Sequence, residues 1–441
     1  MKRPSLIGHV VELLDRIRPL TQPADVVTNE FFRARHYLGA KDRRFIADTL
    51  FGILRNYRFV HTLAQEVSGR VRPDATDVPS LLLYAAYALR VQQEPSAAVL
   101  SDIEGMVRVF APKIPAGELV AAIAHALLPP GGDPAQHLAL QYSFPDSIVA
   151  EWLERFGADE TRRLCQSLNA PAPTVIRVNS LKTSVEECRR RLQREGIESE
   201  RTVLSPFGLV LGKRINAQAV RAFQEGLFEM QDEGSQLLSL LLEPREGMIV
   251  VDACAGGGGK TLHIAALMGN RGTLYSLDSD PKRLAAIRPR LERAGVMIAE
   301  LRSSQDEATR RALAGSADAV LVDAPCSGVG RFRRNPDAKL RFTEDMVERM
   351  SGLQKGILEE SAQLVKPGGR LVYSTCTLLR KENDEIVEWF LSAHRGFHLL
   401  PASAILQRQQ VPYDFASDFL MLLPHKHATD GFFAAVLQRH A

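Results

Sequence analysis

Cysteine is scarce in this 441-residue chain: there are five, an odd number, and no two stand in a C-x-x-C pair. That excludes a disulfide framework as the source of stability and argues against a cysteine-rich zinc site, so no metal is expected, and the expected compartment is a reducing cytosol. A surplus of one charge is also lacking. Lys and Arg number 55 against 52 Asp and Glu, for a formal charge of +3, so local patches must carry any argument for an anionic partner. No uncharged apolar run reaches the roughly 18 residues that a membrane helix needs, and no membrane partner is expected. MKRPSLIGHVVELL mixes basic and apolar residues, but His9, Glu12 and Asp15 interrupt it and it does not read as a signal peptide. Internal repeats and low-complexity segments are missing too.

What is present is ordinary globular composition, 45% hydrophobic and 24% charged, in a chain long enough for two or three domains. Residues 1–130 read as a helical domain. Leu6, Val10, Leu13, Leu14 and Ile17 recur at helical spacing, as do Phe45, Ile46, Leu50, Ile53 and Leu54. PSLLLYAAYALRV opens on Pro79 and Ser80 and is almost wholly apolar, which predicts a central helix. Between Arg33 and Arg58 stand Arg33, Arg35, Lys41, Arg43, Arg44, Arg55 and Arg58 against only Asp42 and Asp48. A solvated helix face and a phosphate-contacting surface fit that run equally. LPPGGDP (Leu128 to Pro134) is the clearest break. Residues 131–230 then read as linker helices and a small α+β domain of ferredoxin-like type, with strands TVIRVNSL, FGLVLG and LFEMQD separated by helices SVEECRRRLQREG and NAQAVRAFQEG.

From residue 231 strands and helices alternate, which predicts a parallel, doubly wound, Rossmann-like α/β domain. Its strands are MIVVDA, GTLYSLD, MIAEL, DAVLVDA and GRLVYST, and the tail FLMLLPHKHATDGFFAAVLQR predicts an antiparallel hairpin at the sheet edge. The organising stretch is IVVDACAGGGGKT: a strand, a turn of four glycines (Gly256, Gly257, Gly258, Gly259) and a helix start. Such turns let a ligand approach the backbone and present free N–H groups to it. GTLYSLDSD ends a second strand at Asp278, where a Rossmann-like fold puts the acid that holds ribose hydroxyls. Two further strands end in DAPC (Asp323 to Cys326) and STC (Ser374 to Cys376), each placing a cysteine at the sheet edge where ligands bind. Gly259-Lys260-Thr261 satisfies half of a Walker A loop, but Cys254 stands where its first glycine belongs.

DACAGGGGKT, LDSDPKRL, DAPCSGVGRFRRNPD and YSTCTLLRKEN resemble the signature stretches of the RNA 5-methylcytosine methyltransferases, the Sun/NOL/NOP group; RVNSLKT, QDEGSQ and DGFF fit as well. GAKDRRFIADTLFGILRNYR is similar to the NusB-like helical domain of the bacterial members that act on small-subunit ribosomal RNA. The resemblance covers almost the whole chain. It implies S-adenosylmethionine as cofactor, RNA (16S ribosomal RNA first, transfer RNA as the alternative) as partner, and a monomer. The other class to hold open is a non-catalytic RNA-binding assembly factor, which the intact cysteines argue against.

Cysteine suits such a reaction. Carbon 5 of cytosine is a poor nucleophile, and a thiolate adding to carbon 6 turns the ring into an enamine that can attack a methyl sulfonium. Chemistry alone leaves either cysteine as nucleophile; the resemblance assigns attack to Cys376, product release to Cys326 and a contact with the pyrimidine edge to Asp323. It also implies a cofactor site from Cys254, Ala255, the four glycines, Lys260, Asp278 and Asp323, with Asp306 near the adenine and Ser304 as its rival. Lys260 is expected to face either cofactor or base. Arg331, Arg333 and Arg334, like Arg43 and Arg44, are candidate phosphate contacts. The family commonly has Pro at Gly257 and Trp near Leu340; neither departure removes a reactive group. Cys165 and Cys188 read as small buried hydrophobes, as does the side chain of Cys254.

Overall fold

The computed structural model describes residues 1–71, 78–110, 115–129, 132–413 and 417–441. Of the LPPGGDP break, Pro130 and Gly131 lie outside the described residues. The chain forms two compact units: Met1–Pro171 with Phe332–Phe342, and Ala172–Arg331 with Thr343–Ala441.

The first unit is helical. Its centre is the helix Ser80–Arg90, in which every residue from Ser80 to Leu89 is buried. The helix Arg3–Ile17 turns Leu6, Ile7, Val10, Leu13, Leu14 and Ile17 inward, and Ala40–Arg55 does so with Ile46, Leu50, Ile53 and Leu54. These are the stripes that the apolar spacing predicts. The short segment 332–342 belongs to this unit although the chain around it belongs to the other. Phe332 is fully buried beside Phe144. Asp337 accepts a hydrogen bond from the N–H of Ala24 at 3.1 Å, satisfying a donor at the start of the helix Ala24–Arg33. Leu340 packs against the helical core.

The second unit contains two sheets. In the first, β1 (Thr174–Val178), β2 (Ser199–Arg201), β3 (Gly208–Leu211) and β4 (Phe228–Met230) pair antiparallel in the order β2-β3-β1-β4. Cys188 and Leu192 of one helix and Phe223 of another close its core over Ile176, Leu209 and Phe228. This is the ferredoxin-like arrangement, with two differences from expectation. β2 was not foreseen, since its SER triplet is polar and half to fully exposed. NAQAVRAFQEG is not one helix but a 3-10 turn at Ala217–Ala219 followed by Arg221–Gln224. Glu195 accepts from the N–H groups of Arg221 and Ala222 there, holding a new helix start.

The large sheet comprises β5 (Ile249–Asp252), β6 (Thr273–Asp278), β7 (Ala299–Ser303), β8 (Ala317–Asp323), β9 (Val365–Thr375), β10 (Phe397–Leu400), β11 (Leu420–Leu422) and β12 (Phe432–Arg439). The order is β10-β12-β9-β8-β5-β6-β7, with β11 on β12. β5 to β9 run parallel, but β12 runs antiparallel to β9 and to β10, so the sheet is mixed, not wholly parallel. The terminal strands β11 and β12 form the expected antiparallel hairpin, with β12 inside the sheet and β11 and β10 side by side along its outer edge. Phe432 to Leu437 are all buried and need cover on both sides, whereas β10 is half exposed and suits a rim. β5 is flanked by β6 and β8, so the strand order reverses there and opens a crevice at the carboxyl ends.

Candidate active site

The glycine turn leaves β5 and enters the helix Gly259–Leu267. Gly258 sits at φ +79°, and a Cβ there would stand 2.8 Å from Ile287, so two constraints require glycine. The turn is fastened from outside. Gly256 donates its N–H to Asp278 Oδ2 at 2.9 Å, the carbonyl of Gly257 accepts from Arg290, and that of Gly259 accepts from the buried Arg177 at 3.0 Å. Below it, Asp252 is wholly buried; desolvation pushes its carboxyl up to about 6, although Thr261 donates to it at 2.7 Å.

A cavity of about 730 Å³ opens at the strand ends. Its polar lining includes Gly256, Asp278, Ser304 and Gln305, and Leu353 and Ile357 contribute apolar wall. Cys254, Asp323, Cys326, Arg331 and Cys376 line it as well. Asp278 keeps one lone pair free on each oxygen after accepting from Gly256 and Asp280. Asp306 is not among the lining residues. Its carboxylate caps the helix Glu307–Leu313, accepting from Ala308 N–H at 3.0 Å and Thr309 Oγ1 at 2.6 Å, while Ser304 and Gln305 face the cavity. Ala255 is buried and pairs through its N–H with Leu277.

β8 and β9 are neighbours, and the loops that leave them bring the two cysteines together. Cys326 Sγ and Cys376 Sγ are 3.3 Å apart and half-buried. The hydrogen bond from Cys326 holds the Cys376 thiol below its ordinary value, helped by the positive charges of Arg331 and Lys260 against the opposing burial. The same contact, with burial, drives Cys326 well up. Cys376 is therefore the thiol of the pair that ionises more readily, with the Cys326 S–H placed to donate to it. Cys254 is also raised by burial, and Cys165 and Cys188 are pushed up to about 12. Lys260 Nζ donates to Asp323 Oδ2 at 2.5 Å, and Ser374 Oγ donates to Asp323 Oδ1 at 3.2 Å. Lys260 thus turns toward the DAPC carboxylate.

The arginine expectations divide. Arg331 lines the cavity with 46% of its side chain exposed. Arg333 is only 4% exposed, within the helical unit, where its carbonyl accepts from Arg55. A guanidinium withdrawn from water in this way does not meet RNA phosphates, so that expectation is corrected. Arg334 is half-buried in the same segment. Arg43 donates to the carbonyls of Leu38 and Arg35, whereas Arg44 is exposed beside Asp48. Sequence reasoning missed Gln354, Glu382 and Asn383, buried polar residues behind the cysteines. The word KEN contains two of them, but nothing in its spacing marks them as buried.

Residues 239–438 match the family model for the 16S rRNA methyltransferase RsmB/F, and residues 144–218 match the ferredoxin-like domain of the RsmF/B-like methyltransferases. The ribosomal RNA small subunit methyltransferase B of Pseudomonas syringae is 30% identical, over 90% of this chain and 89% of its own. A 28S rRNA (cytosine-C(5))-methyltransferase of Mus musculus is 29% identical over 77% of this chain and 43% of its own length. Among solved structures, that of PH0851 superposes with a TM-score of 0.79 at 30% identity, covering 100% of this chain and 99% of that one. S-adenosylmethionine is the methyl donor of this fold, and the lining fits it: an acid with free lone pairs for a ribose, a glycine turn against a helix start, and apolar wall for a base. On relatives that match along nearly its whole length and on both family models, the chain belongs to the RsmB/F family of RNA methyltransferases.

Proposed function

We propose that this protein methylates carbon 5 of a cytosine in small-subunit ribosomal RNA through a covalent bond between Cys376 and carbon 6 of the base. The observation that carries the reading is the unequal thiol pair at 3.3 Å, opening on the same cavity as the glycine turn. Bound S-adenosylmethionine supplies an electrophilic methyl group. Asp278 holds the ribose hydroxyls, the turn from Cys254 to Gly259 meets the amino-acid end, and Ser304 or Gln305 faces the adenine.

The residues of the chain do the rest. Cys376 adds as thiolate to carbon 6, and the electron density it delivers makes carbon 5 the nucleophile. Asp323 meets the pyrimidine edge, and Lys260 fixes that carboxylate from behind. After methyl transfer the carbon-5 proton leaves and the carbon–sulfur bond breaks, restoring the ring. The carbon-5 proton passes to solvent water as the ring double bond re-forms and the electron pair returns to sulfur. Cys326, protonated and adjacent, stabilises the departing Cys376 thiolate through its S–H. The thiols sit in a crevice, so the target base is unpaired or flipped out of its helix, and Arg331 meets a flanking phosphate. The protein acts as a monomer. No described helix is long and apolar enough to cross a membrane, and the absence of paired cysteines supports a cytosolic place of work.

The test is transfer of labelled methyl to protein-free small-subunit ribosomal RNA, with denaturing gels to follow protein–RNA adducts. Cys376→Ala is expected to give neither product nor adduct, and Cys326→Ala to accumulate adduct. The reverse pattern would make Cys326 the nucleophile. Transfer to transfer RNA in preference to ribosomal RNA would overturn the substrate assignment.

A further inference from the structure

We propose that Glu382, with Gln354 and Asn383, is a positioning cluster that holds the release thiol in register with the nucleophile; it touches neither cavity nor substrate. The proposal rests on the division of labour between Cys376 and Cys326 given above.

Each cysteine is bracketed by neighbours on both sides, and all of those neighbours are tied to the same three side chains. On the Cys326 loop, the carbonyl of Pro325 accepts from Gln354 Nε2 at 2.9 Å. Ser327 donates its N–H to Glu382 Oε1 at 2.8 Å and its hydroxyl to Glu382 Oε2. On the Cys376 loop, Thr375 Oγ1 donates to Asn383 Oδ1 at 2.6 Å, and Asn383 Nδ2 donates to the carbonyl of Thr377 at 3.1 Å. The loops are then joined to one another: Ser327 Oγ and Thr377 Oγ1 are 2.9 Å apart, and Gly330 N–H donates to the carbonyl of Cys376 at 3.0 Å. Gln354 Nε2 also donates to Glu382 Oε1 at 3.0 Å, and Tyr373 OH to the carbonyl of Glu382 at 2.6 Å.

Gln354, Glu382 and Asn383 are each 0% exposed, and none of them lines the cavity. A buried carboxylate is costly unless its lone pairs are filled, and here backbone N–H, hydroxyl and amide donors converge on Glu382 from Ser327 of the Cys326 loop, from Thr377 of the Cys376 loop and from the helix Glu344–Ala362. An apolar side chain would fill the space without fixing the loops. A carboxylate that accepts from several directions fixes their relative position, which is what a hydrogen bond between two thiols requires.

The test compares Glu382→Ala and Glu382→Gln with the wild type, using phenylarsine oxide, a trivalent arsenical that condenses with two adjacent thiols and releases water. It reads the thiol–thiol geometry without RNA or cofactor. Wild type and E382Q should bind it alike, since the amide keeps the carbonyl acceptor for Ser327 N–H and the hydroxyls can turn to accept from the new amide. E382A should bind it about tenfold more weakly or worse, with one charged hydrogen-bond acceptor lost. With RNA, E382A should accumulate adduct relative to product, its turnover falling about tenfold to a hundredfold, at unchanged cofactor affinity. Loss of cofactor affinity together with arsenical binding would reduce the cluster to a general structural role and overturn the proposal. So would an E382A protein that matches the wild type in both readouts. If E382A does not fold, Ser327→Ala, which deletes only the bridging hydroxyl, carries the same readouts with a loss of about threefold. Should the wild type form no adduct with any RNA, the reaction assignment fails, while the arsenical comparison still decides whether Glu382 positions the thiols.

Discussion

Lys260 and Lys339 make an instructive pair. Both are almost withdrawn from water, with 12% of the Lys260 side chain and 5% of Lys339 exposed. Lys260, in the unit that carries the large sheet, meets a carboxylate that faces the cavity. Lys339, in the helical unit, meets neutral acceptors among the described residues: the carbonyls of Arg55 and Tyr142, the amide oxygen of Asn169 and the face of Phe144, 3.6 Å away. Burial among such groups lowers its pKa well below the ordinary lysine value. The partner decides the use of the same residue type. A cation against a carboxylate beside reactive thiols sets up charge for chemistry, whereas a cation against carbonyls stitches one segment of chain to its surroundings.

Substitution should separate the two uses. Lys260→Ala leaves Asp323 without its counterion, and methyl transfer should fall about a hundredfold or more with little change in thermal stability. Lys339→Met leaves three acceptors without their donor, and the helical unit should lose about 3 kcal/mol while the folded protein keeps its activity. The comparison sharpens with pH. A lysine whose folded pKa lies below its unfolded value binds fewer protons when folded, so stability rises with pH between the folded value and about 10.4. Urea unfolding followed across that window should show a rising wild-type curve and a flatter one for K339M. Equal loss of activity in both variants would end the distinction.

How much of this could be read from the chain follows the same line. The glycine turn, the acid at the end of β6 and the cysteines just after β8 and β9 were legible because short strand-like runs stop at or just before them. Periodicity located the buried faces of Arg3–Ile17 and Ala40–Arg55. Illegible were features that depend on partners distant in sequence. β10 pairs with β12 across some forty residues, and no local pattern announces an edge strand that is half exposed. Asp306, which the resemblance sets near the adenine with Ser304 as its rival, also caps the helix Glu307–Leu313, a second use that its place after a strand does not announce. Glu382 looks like one more charged residue in RKEN until its donors assemble around it. The passage of residues 332–342 into the helical unit has no local signal either, because Lys339 and Asp337 read as surface residues in a polar stretch.

A smaller effect tests the inequality of the two thiols. A thiol held below its usual value is ionised, and hence reactive, at lower pH. The rate of Cys376 alkylation by iodoacetamide should therefore have its acidic limb below that of an ordinary cysteine. Cys326→Ala removes the donor that contributes most to the shift and should move the limb to higher pH. Peptide mapping of the alkylated site is the check, since Cys165 and Cys188, buried and raised, should stay unlabelled. A limb that does not move in C326A would remove the S–H donor from the account.

The smallest effect concerns two arginines close in sequence that have opposite fates. Arg331 presents an exposed guanidinium at the cavity, with Nε 3.9 Å from Asp430 Oδ2, and Arg333 is buried with the helical residues. Each phosphate neutralised on a single strand contributes a slope of about 0.7 to the fall of log affinity with log salt. Arg331→Ala should lower the measured slope by about that amount, roughly uniformly across RNA sequences. Arg333→Ala should leave the slope untouched and instead weaken the helical unit, because it removes a long side chain that is only 4% exposed. If R333A lowers the slope and R331A does not, the two arginines exchange roles in solution and phosphate contact runs through the helical unit.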